Sequence, residues 1–542
     1  MQSPVVTTNL GDLSPFELKD LLIRYAKDHT HEKAATQEFL DSGRGNPNWV
    51  ATTPREAFLL LGQFALAECK RVREAPGFGG IPELDGITDR FVQFLARAPD
   101  GAGSSLLRHA LDYAVGELGF DADPLVHELV DATVGDNYPM PGRMLAHCEA
   151  IVRRYLTKVM CDERPAQGKL ELFATEGGTA AMCYVWRSLI VNRVLKRGDA
   201  IALGTPIFKP YTELTRLDEL GLEVVEIRQS QTGNGHASWQ YAPDEIDKLA
   251  DPRIKAFLLA NPSNPTSFAM RADAQRRIVE LVRTRRPDLI LLSDDVYGTF
   301  VEGFRSLAAD LPQNTILFYS FSKHFGCTGW RLGVIAVHET NVIDQKLALL
   351  PAEDRQALRR RYGAITTKPD RLRFIDRLVA DSREVALNYS AGLSTPQQLM
   401  MALFALFALL DRGDEYQQRC RATLHERLAR LAAGLGLEIP DDGLRVAYYV
   451  DIDLEVWGRK AIGDAFVEYV AHHNTPIDVV LELARRYGTV LLNGSGFDGP
   501  PWSVRISLAS LDAADYEAIG RDLKSITERA VARWHEARAQ RS

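Results

Sequence analysis

Six cysteines in 542 residues, with no CxxC pair and no zinc-type cysteine–histidine spacing, leave this chain without a disulfide framework or a sequence-encoded structural zinc site. Cys69, Cys148, Cys161, Cys183, Cys327 and Cys420 are scattered and read as free thiols of a cytoplasmic protein. An excess of positive charge is also missing. With 72 acidic against 64 basic residues the net charge is −8, so there is no broad basic field to hold nucleic acid or an anionic membrane surface. No apolar run approaches the roughly 20 residues needed to span a bilayer. The greasiest run, 399–410, stops at Asp411 and Arg412 and reads as a buried helix. The opening MQSPVVTTNLGDLSPF has no basic segment followed by an apolar one, so no secretory leader is expected. Repeats and low-complexity tracts are absent from the sequence as well.

What is present is an ordinary globular balance, 46% hydrophobic and 25% charged, on a chain long enough for more than one domain. Residues 1–130 read as mostly helical, with Ser14-Pro15 as N-cap and first-turn proline and glycine- and proline-rich breaks at 43–54 and 75–87. From about 170 the texture changes. Strand candidates at 170–174, 200–203, 222–227, 256–260, 289–293, 315–320 and 333–337 alternate with helical stretches such as 179–193 and 272–285. Apolar strands alternating with amphipathic helices imply an α/β layer on a mostly parallel sheet, with helices on both faces. Residues 131–410 form that large domain, with a charged helical insertion at about 340–390. Residues 411–542 read as a smaller α+β unit, with strands near 446–452 and 504–508 and a charged helix over 513–541, and the 1–130 extension is assigned to it.

Parallel sheets bind ligands at the carboxyl ends of their strands. Those ends carry Thr175-Glu176-Gly177-Gly178-Thr179, Pro206-Ile207-Phe208, Asn261-Pro262-Ser263-Asn264-Pro265, Asp294-Asp295-Val296-Tyr297 and Ser320-Phe321-Ser322-Lys323, with Trp330-Arg331 shortly after. Each alone has a plain structural reading: a glycine turn, Asn-Pro turn chemistry, a solvated lysine. Together they supply what pyridoxal 5′-phosphate requires. A lysine bonds to its aldehyde, a carboxylate keeps its pyridinium protonated, an aromatic ring stacks on it, and a Gly/Ser/Thr helix start with an arginine holds its phosphate.

The segment SFSKHFGCTGWRLG, preceded by NPSNPT and SDDVY, resembles the fold-type I, aspartate-aminotransferase-like family of pyridoxal phosphate enzymes. The resemblance implies that Lys323 is the Schiff-base lysine and that Asp294 pairs with the pyridinium nitrogen. It implies further that Asn264 and Tyr297 bond the ring hydroxyl oxygen and that Phe208 stacks on the ring, where many relatives have Tyr or Trp. Gly177, Gly178, Thr179, Ser320 and Arg331 would hold the phosphate, Arg505 would clamp the substrate α-carboxylate, and Gly45 would lie beside the substrate. Tyr138 would reach a neighbouring subunit's phosphate, which makes a homodimer the minimum unit. Cys327 is expected as a neutral wall thiol, and Asp295 as a structural residue facing away from Asp294.

The chain is longer than a typical member, and the excess is localised: 93 positions separate Gly45 from Tyr138, and the stretch from Lys323 to Ser394-Thr395-Pro396 is extended too. LSPFELKD, GRGNPNWVATTPREAF, VGDNYPMPGRML and ALNYSAGLSTPQQ resemble the bacterial L-aspartate 4-decarboxylases. This likeness implies conversion of L-aspartate to L-alanine and carbon dioxide, with aspartate transamination as a side reaction. It implies large homo-oligomers built from dimers, a dodecamer in the family. A substrate with two carboxylates needs a second cation; Arg44, as a movable residue at the mouth, and Arg383, near the β-carboxylate, are the candidates. The competing readings are a plain aspartate or aromatic aminotransferase and a non-catalytic cofactor-binding regulator. Against the regulator stand Lys323, Asp294 and Arg505 and the lack of a basic helix-turn-helix pattern in residues 1–130.

Overall fold

The computed structural model describes residues 15–32, 39–139, 142–164, 167–232, 238–388, 390–440 and 442–540. The N-cap expected at Ser14, Met140 and Pro141 of the DNYPMPG segment and Tyr389 of ALNYSAG lie outside them. The apolar runs after residue 170 form one eight-stranded sheet. Its strands are β1 (Leu170–Thr175), β2 (Ala200–Thr205), β3 (Glu223–Thr232), β4 (Ser238–Tyr241), β5 (Ile254–Ala260), β6 (Ile290–Asp294), β7 (Thr315–Ser320) and β8 (Gly333–His338). They lie in the order β1-β8-β7-β6-β5-β2-β3-β4. The run from β7 to β3 is parallel, β8 runs against both its neighbours, and β4 returns as a hairpin on β3. The sheet is therefore mixed, with a parallel centre.

Every residue of β1, β2, β7 and β8 is buried, because helices cover both faces; this is why these runs do not alternate in sequence. Along β5 the side chains divide. Ala256 and Leu258 pack with Val185 and Leu189 of a helix over Gly178–Val191, while Phe257 and Leu259 pack with Ile278 and Leu281 of the helix Ala272–Thr284. The inserted segment is helical as expected, over Ala352–Tyr362 and Phe374–Ser382. Part of its charge turns inward: buried Asp381 accepts from Ser188, Asn192 and Tyr362 and pairs with Arg361 at 2.9 Å.

The second unit is a three-stranded antiparallel sheet of β9 (Tyr449–Asp453), β10 (Leu492–Asn493) and β11 (Ser503–Ser507), in the order β9-β11-β10. The helices Glu415–Leu435 and Ala513–Ala539 pack along each other beside it. Leu40–Asp41 pairs with Thr489–Val490, and the helix Pro15–Glu32 packs on Pro476–Tyr487. The helices Thr52–Val72, Ala102–Gly116 and Ala122–Val134 instead pack with Thr395–Leu410, the buried greasy helix. Residues 15–32 and 40–41 thus touch the C-terminal unit, whereas the helices within 52–134 pack on the large one. The short strand at Leu40–Asp41 matters for function, since it delivers Gly43–Gly45 to the seam between the two units.

Candidate active site

The carboxyl ends of β5, β6 and β7, the turn after β1 and the small sheet enclose a cavity of about 630 Å³. Lys323, three residues beyond β7, reaches into it and donates from Nζ to the Gly45 carbonyl at 2.7 Å. The same carbonyl accepts from the Tyr448 hydroxyl at 2.9 Å. A Cβ at Gly45 would stand 2.5 Å from Tyr449 Oη and 3.2 Å from Lys323 Nζ, so only glycine lets this backbone approach the amine.

Asp294 ends β6 and lines the cavity. Burial pushes its carboxyl above the ordinary carboxylate range; the Tyr211 hydroxyl, the Val296 amide and the Lys323 cation act the other way. Tyr211 Oη donates to Oδ2 at 2.5 Å and the Val296 amide to Oδ1 at 3.2 Å. Tyr211 lies three residues after Phe208, at the start of the helix Lys209–Thr215, and the two rings meet edge to face at 5.5 Å. Phe208 also lines the cavity.

The turn after β1 makes an anion cradle. Gly177 has φ +94°, and a Cβ there would collide with the Arg331 guanidinium. Gly178 and Thr179 open the helix Gly178–Val191 at the cavity, where first-turn amides and the helix dipole favour a phosphate. Arg331 donates to the Thr328 carbonyl at 2.9 Å and the Glu176 carbonyl at 3.3 Å; Ser320 Oγ meets Ser322 Oγ at 3.0 Å on the same wall.

Across the cavity Arg505, on β11, lies between the rings of Tyr449 and Phe497, each centred 4.4 Å from its guanidinium. Its Nη atoms donate to Asn264 Oδ1 and the Gly43 carbonyl, both at 3.1 Å. Tyr297 donates to Tyr449 Oη at 3.1 Å. Burial pushes both phenols up; for Tyr449 the Lys323 and Arg505 cations outweigh it and hold the hydroxyl below its ordinary value. Arg44, half exposed at the mouth, pairs with buried Asp41 at 2.7 Å.

The fold thus gathers Lys323, Asp294, Asn264, Tyr297, Phe208, Gly178, Thr179, Ser320, Arg331, Gly45, Arg44 and Arg505 around one cavity, with Gly177 directly behind it. It does not bring Arg383 there. That side chain is buried, donating to the carbonyls of Gly142 and Asn388, and is not among the residues that line the cavity. Tyr138 is 68% exposed on the surface. Asp295 turns to Ser293 at 2.6 Å in the core, and the Cys327 thiol, pushed up to about 12 by burial, donates to the Phe321 carbonyl. Sequence reasoning missed Tyr211, Tyr448, Tyr449 and Phe497, and Lys19, which also lines the cavity. For Tyr211 a signal existed: it sits at helical spacing from Phe208.

The model of the family described as aminotransferase class I and II matches residues 180–521. The chain belongs to this family. Its members are pyridoxal phosphate-dependent. Within it, a bifunctional aspartate aminotransferase and L-aspartate beta-decarboxylase of a Pseudomonas species is 45% identical over 522 residues, covering 96% of this chain and 97% of that protein. Among solved structures, an aromatic aminotransferase from Pyrococcus horikoshii OT3 has a TM-score of 0.56 at 17% identity, covering 93% of this chain and 99% of its own. The N-succinyldiaminopimelate aminotransferase of Mycobacterium tuberculosis gives 0.54 at 18%, covering 96% and 100%. At that identity these two speak for the fold alone, which is the fold-type I architecture expected from the sequence.

Proposed function

We propose that this aminotransferase-family chain is a pyridoxal 5′-phosphate-dependent L-aspartate 4-decarboxylase, releasing L-alanine and carbon dioxide, with aspartate transamination as a side activity. The observation that carries the reading is the 45% identity, over nearly the whole of both chains, to a protein named for both activities. The site supports it chemically.

The donor set fits the cofactor. Gly177 leaves open the space beside Arg331 that a Cβ would fill, a helix N-terminus faces the same spot, and a buried carboxylate and a primary amine stand on the adjoining walls. Gly177, Gly178, Thr179, Ser320 and Arg331 would hold the phosphate, Phe208 the ring face, Asn264 and Tyr297 the ring hydroxyl oxygen, and Asp294 the pyridinium. When bound, the cofactor supplies an aldehyde for covalent attachment of an amine and an electron-withdrawing ring next to the substrate Cα.

The protein's part is positioning and proton transfer. Arg505, held between two rings, presents its guanidinium to the α-carboxylate, a task suited to its planar fork. Lys323 Nζ, on the same side as Gly45, takes the proton from Cα and returns it to complete alanine. The Tyr449 hydroxyl, facing both cations, helps to fix their spacing. The β-carboxylate must be recognised and then lost, so a tight cation on it would stabilise the charge that has to disappear. Arg44 suits this as the second cation, being half exposed and tethered to Asp41. Arg383 is engaged instead with the Gly142 carbonyl. Tyr138 reaches the phosphate of a neighbouring copy, so the working unit is at least a homodimer, with the larger dodecameric assembly as the expectation.

Turnover of L-aspartate by the holoenzyme with no 2-oxo acid tests the reading. Sustained alanine formation supports it; turnover that starts only on adding 2-oxoglutarate makes the chain a plain aminotransferase.

A further inference from the structure

Beside Arg505 lies a carboxylate that the site as described does not use. Asp451 stands directly opposite Arg505 in the antiparallel register of β9 and β11, and two residues on from Tyr449. Its side chain therefore shares the face of the small sheet that carries Tyr449 and Arg505. Both its carboxylate oxygens are buried, and neither has a hydrogen-bond partner among the described residues. The Ser503 hydroxyl, opposite Asp453 on the next cross-strand pair of that face, donates to the Pro500 carbonyl instead, at 3.0 Å. Arg505 for its part keeps a buried Nε–H with no acceptor. Two orphaned acceptors and an orphaned donor on directly opposed residues form an arrangement that one buried water or a small side-chain shift completes. A buried carboxyl with no partner is costly, and an apolar residue would pack this sheet better, so its presence beside the clamp calls for a role.

We propose that Asp451 is a positioning residue for Arg505 whose charge is exchanged for that of the substrate: when a carboxylate docks on Arg505, a proton from solvent passes to the Asp451 carboxylate. The inference rests on the reading of Arg505 as the α-carboxylate clamp. Without substrate, the Asp451 carboxylate and the Arg505 guanidinium balance each other in a low-dielectric pocket. A second carboxylate on the same guanidinium leaves one anion in surplus, and the one shut off from water is the one that neutralises. Burial already pushes the Asp451 carboxyl up to about 7; the Arg505 cation opposes the rise and Asp453 adds to it. Asp453 on its own strand and Arg505 on β11 are the charged groups acting on it, with the Tyr449 phenol on the same face bonded to Tyr297.

The test uses succinate, which has the carboxylates of aspartate without the amine, titrated calorimetrically into the holoenzyme at pH 8 in two buffers of different ionisation enthalpy. Protons accounted for by the cofactor's own absorbance change are subtracted. The wild type is expected to take up about one further proton per site, and its succinate Kd to rise about tenfold per pH unit above 7. Asp451→Asn is expected to lose that extra proton and flatten that dependence, whereas a purely structural residue would change Kd equally at every pH. An unchanged proton count in Asp451→Asn overturns the proposal, and so does a wild-type uptake fully explained by the absorbance, a result that needs no variant to fold. Arg505→Ala should abolish succinate binding; binding that survives it sinks the clamp reading and the inference together.

Discussion

Replacing Tyr211 by phenylalanine removes one oxygen atom from the wall of the site and should disable Asp294. The Tyr211 hydroxyl lies 2.5 Å from Asp294 Oδ2, and the other oxygen accepts from the Val296 amide at 3.2 Å. Burial favours the neutral acid at this position, and the phenol is the strongest of the groups that oppose it. A hydrogen bond to an ionised group contributes about 1.5–3 kcal/mol, so its loss should lower kcat/KM for L-aspartate by about 10–100-fold. The phenylalanine ring keeps the edge-to-face contact with Phe208 and the packing volume, so the fold should survive. Asp294 acts as the carboxylate; its pKa, raised further in the variant, moves the acid limb of the kcat/KM profile to higher pH. Steady-state kinetics across pH, together with the dissociation constant of the cofactor, read both effects. A Tyr211→Phe enzyme with kcat/KM within about twofold of wild type and an unshifted acid limb would refute the assignment of Asp294.

Other changes follow from the same geometry. Arg505→Lys keeps the charge but loses the fork between Tyr449 and Phe497, and kcat/KM for aspartate should fall about 10²–10³-fold while cofactor content stays normal. Gly45→Ala must displace Tyr449 or Lys323, and single-turnover rates should drop by about 10²-fold with little change in melting temperature. His324 is held neutral, pushed down to about 3 by burial. The unfolded chain binds a proton there below about 6.5, so this group removes about 1.4 kcal/mol of stability between pH 7.5 and 5.5, and more as pH falls towards 3. Denaturant melts should show that loss in wild type, and His324→Phe, placed among Phe300, Phe325 and Tyr416, should lack it.

Most of the large sheet was legible because burial on both faces turns its strands into unbroken apolar runs, as at 315–320 and 333–337. The exceptions lie at one edge. The polar end of β3, Arg228–Thr232, and its hairpin partner β4 carry no such run: Trp239 and Tyr241 of β4 are buried but flank Gln240, a polar residue that is buried too because its amide donates to the Ala269 carbonyl. The residues bonding to the strand ends were readable for the same reason that the strands were. Tyr449 and Phe497 were not: each looks like an ordinary core aromatic, and only the register of β9 on β11 and the turn before β11 bring them onto Arg505. Arg383 illustrates the converse. The likeness to the decarboxylases implies a place for it near the β-carboxylate; a guanidinium with five donors is equally suited to capping backbone carbonyls, and within this chain it caps those of Gly142 and Asn388.

The most direct test of the central claim follows the label from L-[4-13C]aspartate by NMR in holoenzyme free of any 2-oxo acid. The decarboxylase account predicts labelled carbon dioxide and unlabelled alanine in equal amounts, continuing over many turnovers per site. A reaction that stops after about one equivalent per site, with the label in oxaloacetate until 2-oxoglutarate restarts it, would contradict that account.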